Sequence, residues 1–275
     1  MNYNIHFATF ADLRLKKTLN RIGRQANKMG IFNTISISNE FDLDQDFKEL
    51  FKDKLNAKTR GFGYWIWKSQ IILQSLNKIK EGDVLLYIDA GCHLNYKGKQ
   101  RLLEYIDLAA NSETGVVMFK PDDDVTLNSF EDNIEFKYTK GDLLKHFGVL
   151  NNKLVTHSNQ LVGGVILVRK DSINIKFIQS LIDTYKCDFA LIDDSSSKYP
   201  NFEGFIEHRH DQSIISILAK LRGVEIISAS EIYTNGDWLE LINYPIWTKR
   251  DKNFGFSRRI RNVLYPVYKM IFKTK

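Results

Sequence analysis

The sequence predicts a single α/β domain built on a mostly parallel sheet flanked by helices. Three observations predict it. Short apolar runs of strand length alternate with longer segments whose apolar residues recur at helical spacing, the pattern of a sheet covered on both faces. The chain has 275 residues, 43% apolar and 26% charged, enough for a sizeable core and too apolar for disorder. It carries no internal repeat, low-complexity tract or Pro/Gly-rich linker, so one domain over residues 1–256 with a basic extension over 257–275 is the expected organisation.

Taken in order, "NIHFATF" (4–10) reads as a first strand, and "LRLKKTLNRIGRQANKMG" as a helix closed by Gly30. "IFNTISIS" alternates as a second strand, and the charged stretch 40–58 is expected to be partly helical. "GYWIWKSQIILQSLNKIKEGD" has helical spacing with Gly82 as its stop, followed by the buried strand "VLLYI" (84–88). A helix near 98–110, the strand "GVVMFK", an acidic turn-rich loop "PDDDVTLNSFEDN" and a short helix "TKGDLLKHFGV" come next. Beyond them "GGVILVRK" is an apolar strand, "DSINIKFIQSLIDTYK" a helix capped by Asp171, and "DQSIISILAKLRG" a helix feeding the strand "VEIIS".

Composition excludes several classes. Cys92 and Cys187 form no spacing motif, which argues against a disulfide framework or a thiolate zinc site. The N-terminus lacks a basic region followed by a long apolar run, and no stretch reaches the ~18 apolar residues that span a bilayer. A cytoplasmic protein is expected. The net charge of +6 is concentrated late: Lys249, Arg250, Lys252, Arg258, Arg259, Arg261, Lys269, Lys273 and Lys275 stand against Asp251 alone. In that tail basic residues interleave with Ile260, Val263, Leu264, Val267, Met270, Ile271 and Phe272, as in a helix lying on an anionic membrane; docking on the domain's own core is the alternative. A nucleic-acid-binding surface would spread basic and aromatic residues over the domain, so nucleic acid is not expected as a partner.

Four stretches can carry chemistry. In "YIDAGCHLN" (87–95), Asp89 ends a buried strand and is followed by Ala90 and Gly91, which leave the backbone bare; it either caps a turn or holds a ligand at the strand end. Ligands of such sheets collect at the carboxyl ends of the strands. "RGFGYWIWK" (60–68) sets Arg60 and Lys68 among glycines and aromatics. "QLVGGVILV" (160–168) opens a strand with Gly163 and Gly164, where missing side chains admit a bulky ligand or a tight turn. "EHRHDQS" (207–213) crowds His208, Arg209, His210, Asp211 and Gln212 before an apolar helix for which Asp211 is also a candidate N-cap.

Together, in this order, the four stretches resemble the GT-A class of nucleotide-sugar glycosyltransferases, a Rossmann-like fold, and within it small bacterial enzymes of capsule and O-antigen gene clusters. The resemblance covers residues 3–250. It implies transfer of a galactose- or glucose-type hexose from a UDP-sugar donor to a glycan, a lipid-linked surface polysaccharide or lipopolysaccharide precursor, at the inner face of the cytoplasmic membrane. It implies that Thr9 and Phe10 lie where the nucleotide base is held. Arg60, Lys68, Asp89, Gly163, Gly164, Lys249 and Arg250 would line the donor. Asp211 and Gln212, with Asp89, would serve catalysis, and His208 and Asp123 the acceptor. A diphosphate leaving group gains charge as the sugar departs, so it needs a divalent cation on carboxylates, or Lys and Arg instead. The resemblance implies Mn2+ or Mg2+ on Asp89; by residue type His210, or His208, is a candidate second ligand. The second aspartate of the family's Asp-x-Asp pair is Gly91 here, which leaves metal dependence open. A nucleotidyltransferase of similar sheet and an inactive sugar-binding module remain the alternatives.

Overall fold

A computed structural model of the chain describes residues 3–122 and 133–251. Eight strands are β1 (Ile5–Phe10), β2 (Thr34–Ser38), β3 (Val84–Ile88), β4 (His93–Leu94), β5 (Val116–Lys120), β6 (Val162–Arg169), β7 (Glu225–Ser228) and β8 (Ile246–Trp247). Six of them form one sheet in the order β2-β1-β3-β6-β5-β7, and β4 pairs with β8 in a separate ribbon. The main sheet is mostly parallel, as its alternation of strands and helices predicts. β6 is the exception and runs antiparallel to both β3 and β5. This reversal positions the site. Pairing of Ile88 with Val165 brings the end of β3 against the beginning of β6, so that Asp89 donates its backbone N–H to Gly164 O at 2.9 Å.

Both sheet faces are buried, which is why the strands read as continuous apolar runs. On one face Leu85, Tyr87, Met118, Ile166 and Val168 pack against the helices Trp67–Asn77, Ser172–Cys187 and His210–Arg222. On the other Phe7, Leu86, Ile88, Phe119 and Leu167 pack against Lys16–Met29 and Lys99–Asn111. Side chains alternate along a strand, so Asp89 continues the row of Leu85 and Tyr87 toward the first group of helices.

Local signals explain most boundaries. Gly30 and Gly223 close their helices in the left-handed conformation at φ 63° and 74°. Asp171 accepts from Asn174 N and caps its helix as the sequence predicts. Two expectations change. The helix expected from residue 63 begins only at Trp67, because Gly61, Phe62, Gly63, Tyr64 and Trp65 all have positive φ and form a left-handed turn. Asp211 is not an N-cap: the helix starts at His210, and no side chain caps it. The acidic loop around Asp123 and the extension 257–275 lie outside the described residues, and with them the boundary expected at residue 256.

The last described segment returns to the β3 end. Asn95 N donates to Pro245 O at 2.8 Å, and Asn95 Nδ2 reaches Ile242 O and Tyr244 O. Gly98 lets that segment close: a Cβ there would lie 2.2 Å from Pro245 N and 2.3 Å from Tyr244 C. Gly98→Ala should therefore cost ~1–3 kcal/mol by overpacking. The check is the urea midpoint; no shift would mean that the 244–247 segment yields freely.

Candidate functional site

The centre of the site is Lys68, at the start of the helix Trp67–Asn77. Its ammonium is buried and lies 2.6 Å from Asp211 Oδ2, 3.4 Å from Asp89 Oδ1 and 2.9 Å from Gly163 O. One cation thus joins the end of β3, the start of β6 and the first turn of the helix His210–Arg222. Burial alone would lower the lysine pKa, but Asp211 and then Asp89 more than reverse this, and Lys68 stays charged. Burial pushes Asp211 up to about 6, with Lys68 opposing and Asp89 adding to the rise. Tyr87 donates to Asp89 Oδ1 at 2.9 Å and holds the carboxylate from its own strand. Behind the pair lies an apolar cavity lined by Ile72, Ile166, Leu181, Ile214 and Tyr185, so little water screens these charges from the core side.

The paired glycines make room for the site's own side chains. A Cβ on Gly163 would meet Gln212 Cβ at 3.1 Å, and one on Gly164 would meet Asp89 Oδ2 at 3.0 Å. Their absence lets the helix His210–Arg222 and the β3 end converge on one point. Gln212 donates to Gln160 Oε1 at 2.8 Å, and Gln160 in turn donates to the fully buried Glu135, which Lys220 neutralises at 2.8 Å. Gln212 is therefore oriented by a satisfied buried network.

Several expected residues take other positions. Phe10 is buried and stacks on Trp67 at 4.2 Å, so its ring belongs to the core rather than to a ligand surface. Thr9 is fully buried at the end of β1, with a hydroxyl that finds no hydrogen-bond partner. Arg60 pairs with Asp194 at 3.1 Å and lies 3.8 Å from Glu207, at the rim. His208 is buried with Nε2 3.0 Å from Leu191 O. His210 has φ 52°, places Nδ1 2.7 Å from Ile192 O, and stacks its ring on Trp65. Both imidazoles hold the 191–192 backbone, and burial lowers both pKa values, so they act as neutral packing groups. Lys249 and Arg250 separate in role. Lys249 Nζ sits over the rings of Trp247 and Trp238, at 4.3 Å and 5.1 Å, whereas Arg250 is exposed.

A residue that the sequence reading passed over completes the site. Arg21, buried in the helix Lys16–Met29, donates to Ala90 O and Cys92 O at 2.7 Å each and to Asp251 O at 3.2 Å. It fixes the turn after Asp89 and the last described residues to one anchor. A basic residue on the apolar side of an otherwise amphipathic helix was the available signal. Cys92 is inert: burial and Asp89 push its thiol up to about 12.

The donor set does not fit a divalent ion. Asp89 and Asp211 already share an ammonium, and His210 gives Nδ1 to Ile192 O and sets its unbonded Nε2 3.5 Å from Asp194 Oδ1. Among the described residues no three His, Cys, Asp or Glu side chains converge as a metal site. A divalent ion on Asp89 would have to share the carboxylate with the Lys68 ammonium, 3.4 Å from Oδ1, and like charges at that range repel.

No protein-family model matches the sequence, and no curated protein matches it. Solved structures do match. A glycosyltransferase involved in glycosylating the major capsid of PBCV-1 is similar at TM-score 0.46 and 10% identity, over 94% of this chain and 99% of that one. Mouse xyloside xylosyltransferase 1 gives 0.43 and 9%, over 90% and 97%. The galactosyltransferase LgtC, solved with donor and acceptor sugar analogs, gives 0.42 and 11%, over 89% and 86%.

Lys68→Met keeps most of the side-chain bulk and removes the charge, leaving two carboxylates facing each other. Breaking a buried pair costs on the order of 3–5 kcal/mol, so the urea midpoint should fall sharply at pH 8. Without the ammonium, Asp211 rises further above its unfolded value. The folded protein then takes up a proton that the unfolded chain does not, and stability returns as pH falls toward that unfolded value. Equal losses at pH 8 and pH 5 would show that Lys68 merely fills space.

Proposed function

We propose that the chain is a glycosyltransferase that moves a hexose from a nucleoside-diphosphate sugar, UDP-linked, to a growing surface glycan. The observation that carries this reading is the Lys68 clamp. It holds two carboxylates, Asp89 and Asp211, together at the strand ends of an α/β sheet, where Gly163 and Gly164 let Gln212 and Asp89 close on the same point. Such a cluster suits a neutral sugar attached to a charged leaving group: carboxylates meet its hydroxyls, and nearby cations answer the diphosphate. The order of the four sequence stretches supports the same reading. Asp211, with a pKa near 6, is ionised at neutral pH and can accept a proton or stabilise positive charge on the sugar. Gln212, fixed by Gln160, supplies a polar neighbour.

The donor is tested by thermal stabilisation of the full chain with a panel of UDP- and GDP-sugars. A ligand that binds only the folded state adds ~2.7 kcal/mol at a hundredfold excess over its Kd. Selective stabilisation by UDP-hexoses is expected. Transfer should fall as pH drops through about 6, where Asp211 takes up a proton, and Asp211→Asn should abolish it at every pH. Retained transfer by that variant would remove Asp211 from the chemistry.

The acceptor is proposed to be lipid-linked, because the sequence of the extension combines basic and apolar residues. Each basic residue near an anionic surface contributes about 1 kcal/mol, screened by salt. Truncation after Phe256 should release the enzyme from anionic vesicles while sparing transfer to a short soluble acceptor. An insoluble truncated protein would instead place those apolar residues in the core.

A further inference from the structure

Gly91 stands where the resemblance implies a second metal-binding aspartate, and the structure shows what stands against it. A Cβ on Gly91 would lie 3.4 Å from Arg250 Cα, and Asp251 N donates to Gly91 O at 2.8 Å. The segment 248–251 therefore lies against the turn that follows Asp89, in van der Waals contact with the place a side chain at position 91 would start from.

That segment is fastened on both sides of Arg250. Thr248 N donates to Ile232 O at 2.9 Å, and Asp251 lies 3.6 Å from Arg21 and 3.4 Å from His93 through Oδ2. Arg250 between them has φ 52°, a conformation that costs a non-glycine residue free energy and that the two anchors maintain. Its guanidinium makes no hydrogen bond or ion pair among the described residues, and it is exposed. Its charge is nevertheless felt at Cys92, one residue past Gly91, and at Arg209, two residues before Asp211. The Cα of Arg250 stands against the turn at Gly91, so its exposed side chain starts at the edge of the turn 89–92. Arg209 is held elsewhere, by Asn133 at 2.6 Å and by the ring of Tyr138.

We infer that the site takes the diphosphate of its donor without a divalent ion, Arg250 being the cation that meets the phosphates and Lys68 the one that neutralises the carboxylates beneath. The inference rests on the glycosyltransferase reading and specifies its leaving-group chemistry. Gly91 and Arg250 are then two halves of one exchange: the carboxylate that would share a metal is gone, and its absence lets a chain-borne cation approach. A guanidinium suits this place because its planar fork can donate two hydrogen bonds to phosphate oxygens.

The test is calorimetric binding of UDP, with uridine as the nucleoside control, to the full chain in EDTA and in Mn2+ or Mg2+. UDP should bind in EDTA with a Kd within about twofold of that in either metal. Arg250→Gly, which suits the left-handed backbone, should weaken UDP at least tenfold, leave uridine unchanged and leave the melting temperature near wild type. If EDTA abolishes UDP binding and metal restores it, the inference fails while the glycosyltransferase reading stands. UDP binding unaffected by Arg250→Gly would likewise overturn the role of Arg250. If neither UDP nor GDP binds under any condition, the donor reading itself falls, and this inference with it.

Discussion

The site depends on the burial of one ammonium. Lys68 touches Asp211, Asp89 and Gly163 O, groups contributed by three separate elements that converge at that point. A buried lysine is tolerable only with such partners, and the two carboxylates are tolerable together only with the lysine. Each member makes the other two possible. Replacing the triad with apolar residues would suit the core equally well on energetic grounds, so its presence at the open end of the sheet points to use rather than to stability.

Placing Lys68 there requires strain. Its helix is preceded by five consecutive residues with positive φ, and three of them, Phe62, Tyr64 and Trp65, are bulky. At ~1–2 kcal/mol for each non-glycine residue, the turn stores several kcal/mol. Packing maintains it. Gly61 lies so close to the Trp65 ring that a Cβ would come within 2.4 Å, Trp67 Nε1 donates to Gly61 O at 2.8 Å, and His210, itself at positive φ, stacks on Trp65. The two left-handed segments that meet here begin the two helices carrying Lys68 and Asp211. Strain of this kind persists where the surroundings over-determine it, and it gathers at functional sites.

Much of this was legible in the sequence, and the rest was not, for identifiable reasons. Strand and helix positions followed from apolar periodicity, because a sheet buried on both faces leaves a strong signal. The reversed direction of β6 left none: a doubly buried strand reads the same in either sense. Asp89, Asp211 and the paired glycines stood out as chemistry-bearing types in unusual settings. Their meaning was only partly readable, since Gly163 and Gly164 relieve contacts with Gln212 and Asp89, residues distant in sequence. The left-handed turn was hidden because aromatic residues give no propensity for positive φ. His208 and His210 looked like ligands by type, but their partners are backbone carbonyls of residues 191 and 192, which no local pattern reveals.

Arg21 shows how the two halves of the site are coupled. Its guanidinium spans Ala90 O and Cys92 O on one side and Asp251 on the other, while His93, lowered to about 4 by burial and by Arg21 itself, stays neutral beside it. The turn that aims Asp89 and the segment that carries Arg250 are therefore tied to the same buried group, although Arg21 and Asp251 stand 230 residues apart in the chain. A movement of one displaces the other. Separating the two would forfeit the backbone hydrogen bonds and the charge pairing of Arg21 together. On the proposed reading, Asp89 and Arg250 are thus held in one frame, which is what positioning a sugar and its leaving group for transfer requires.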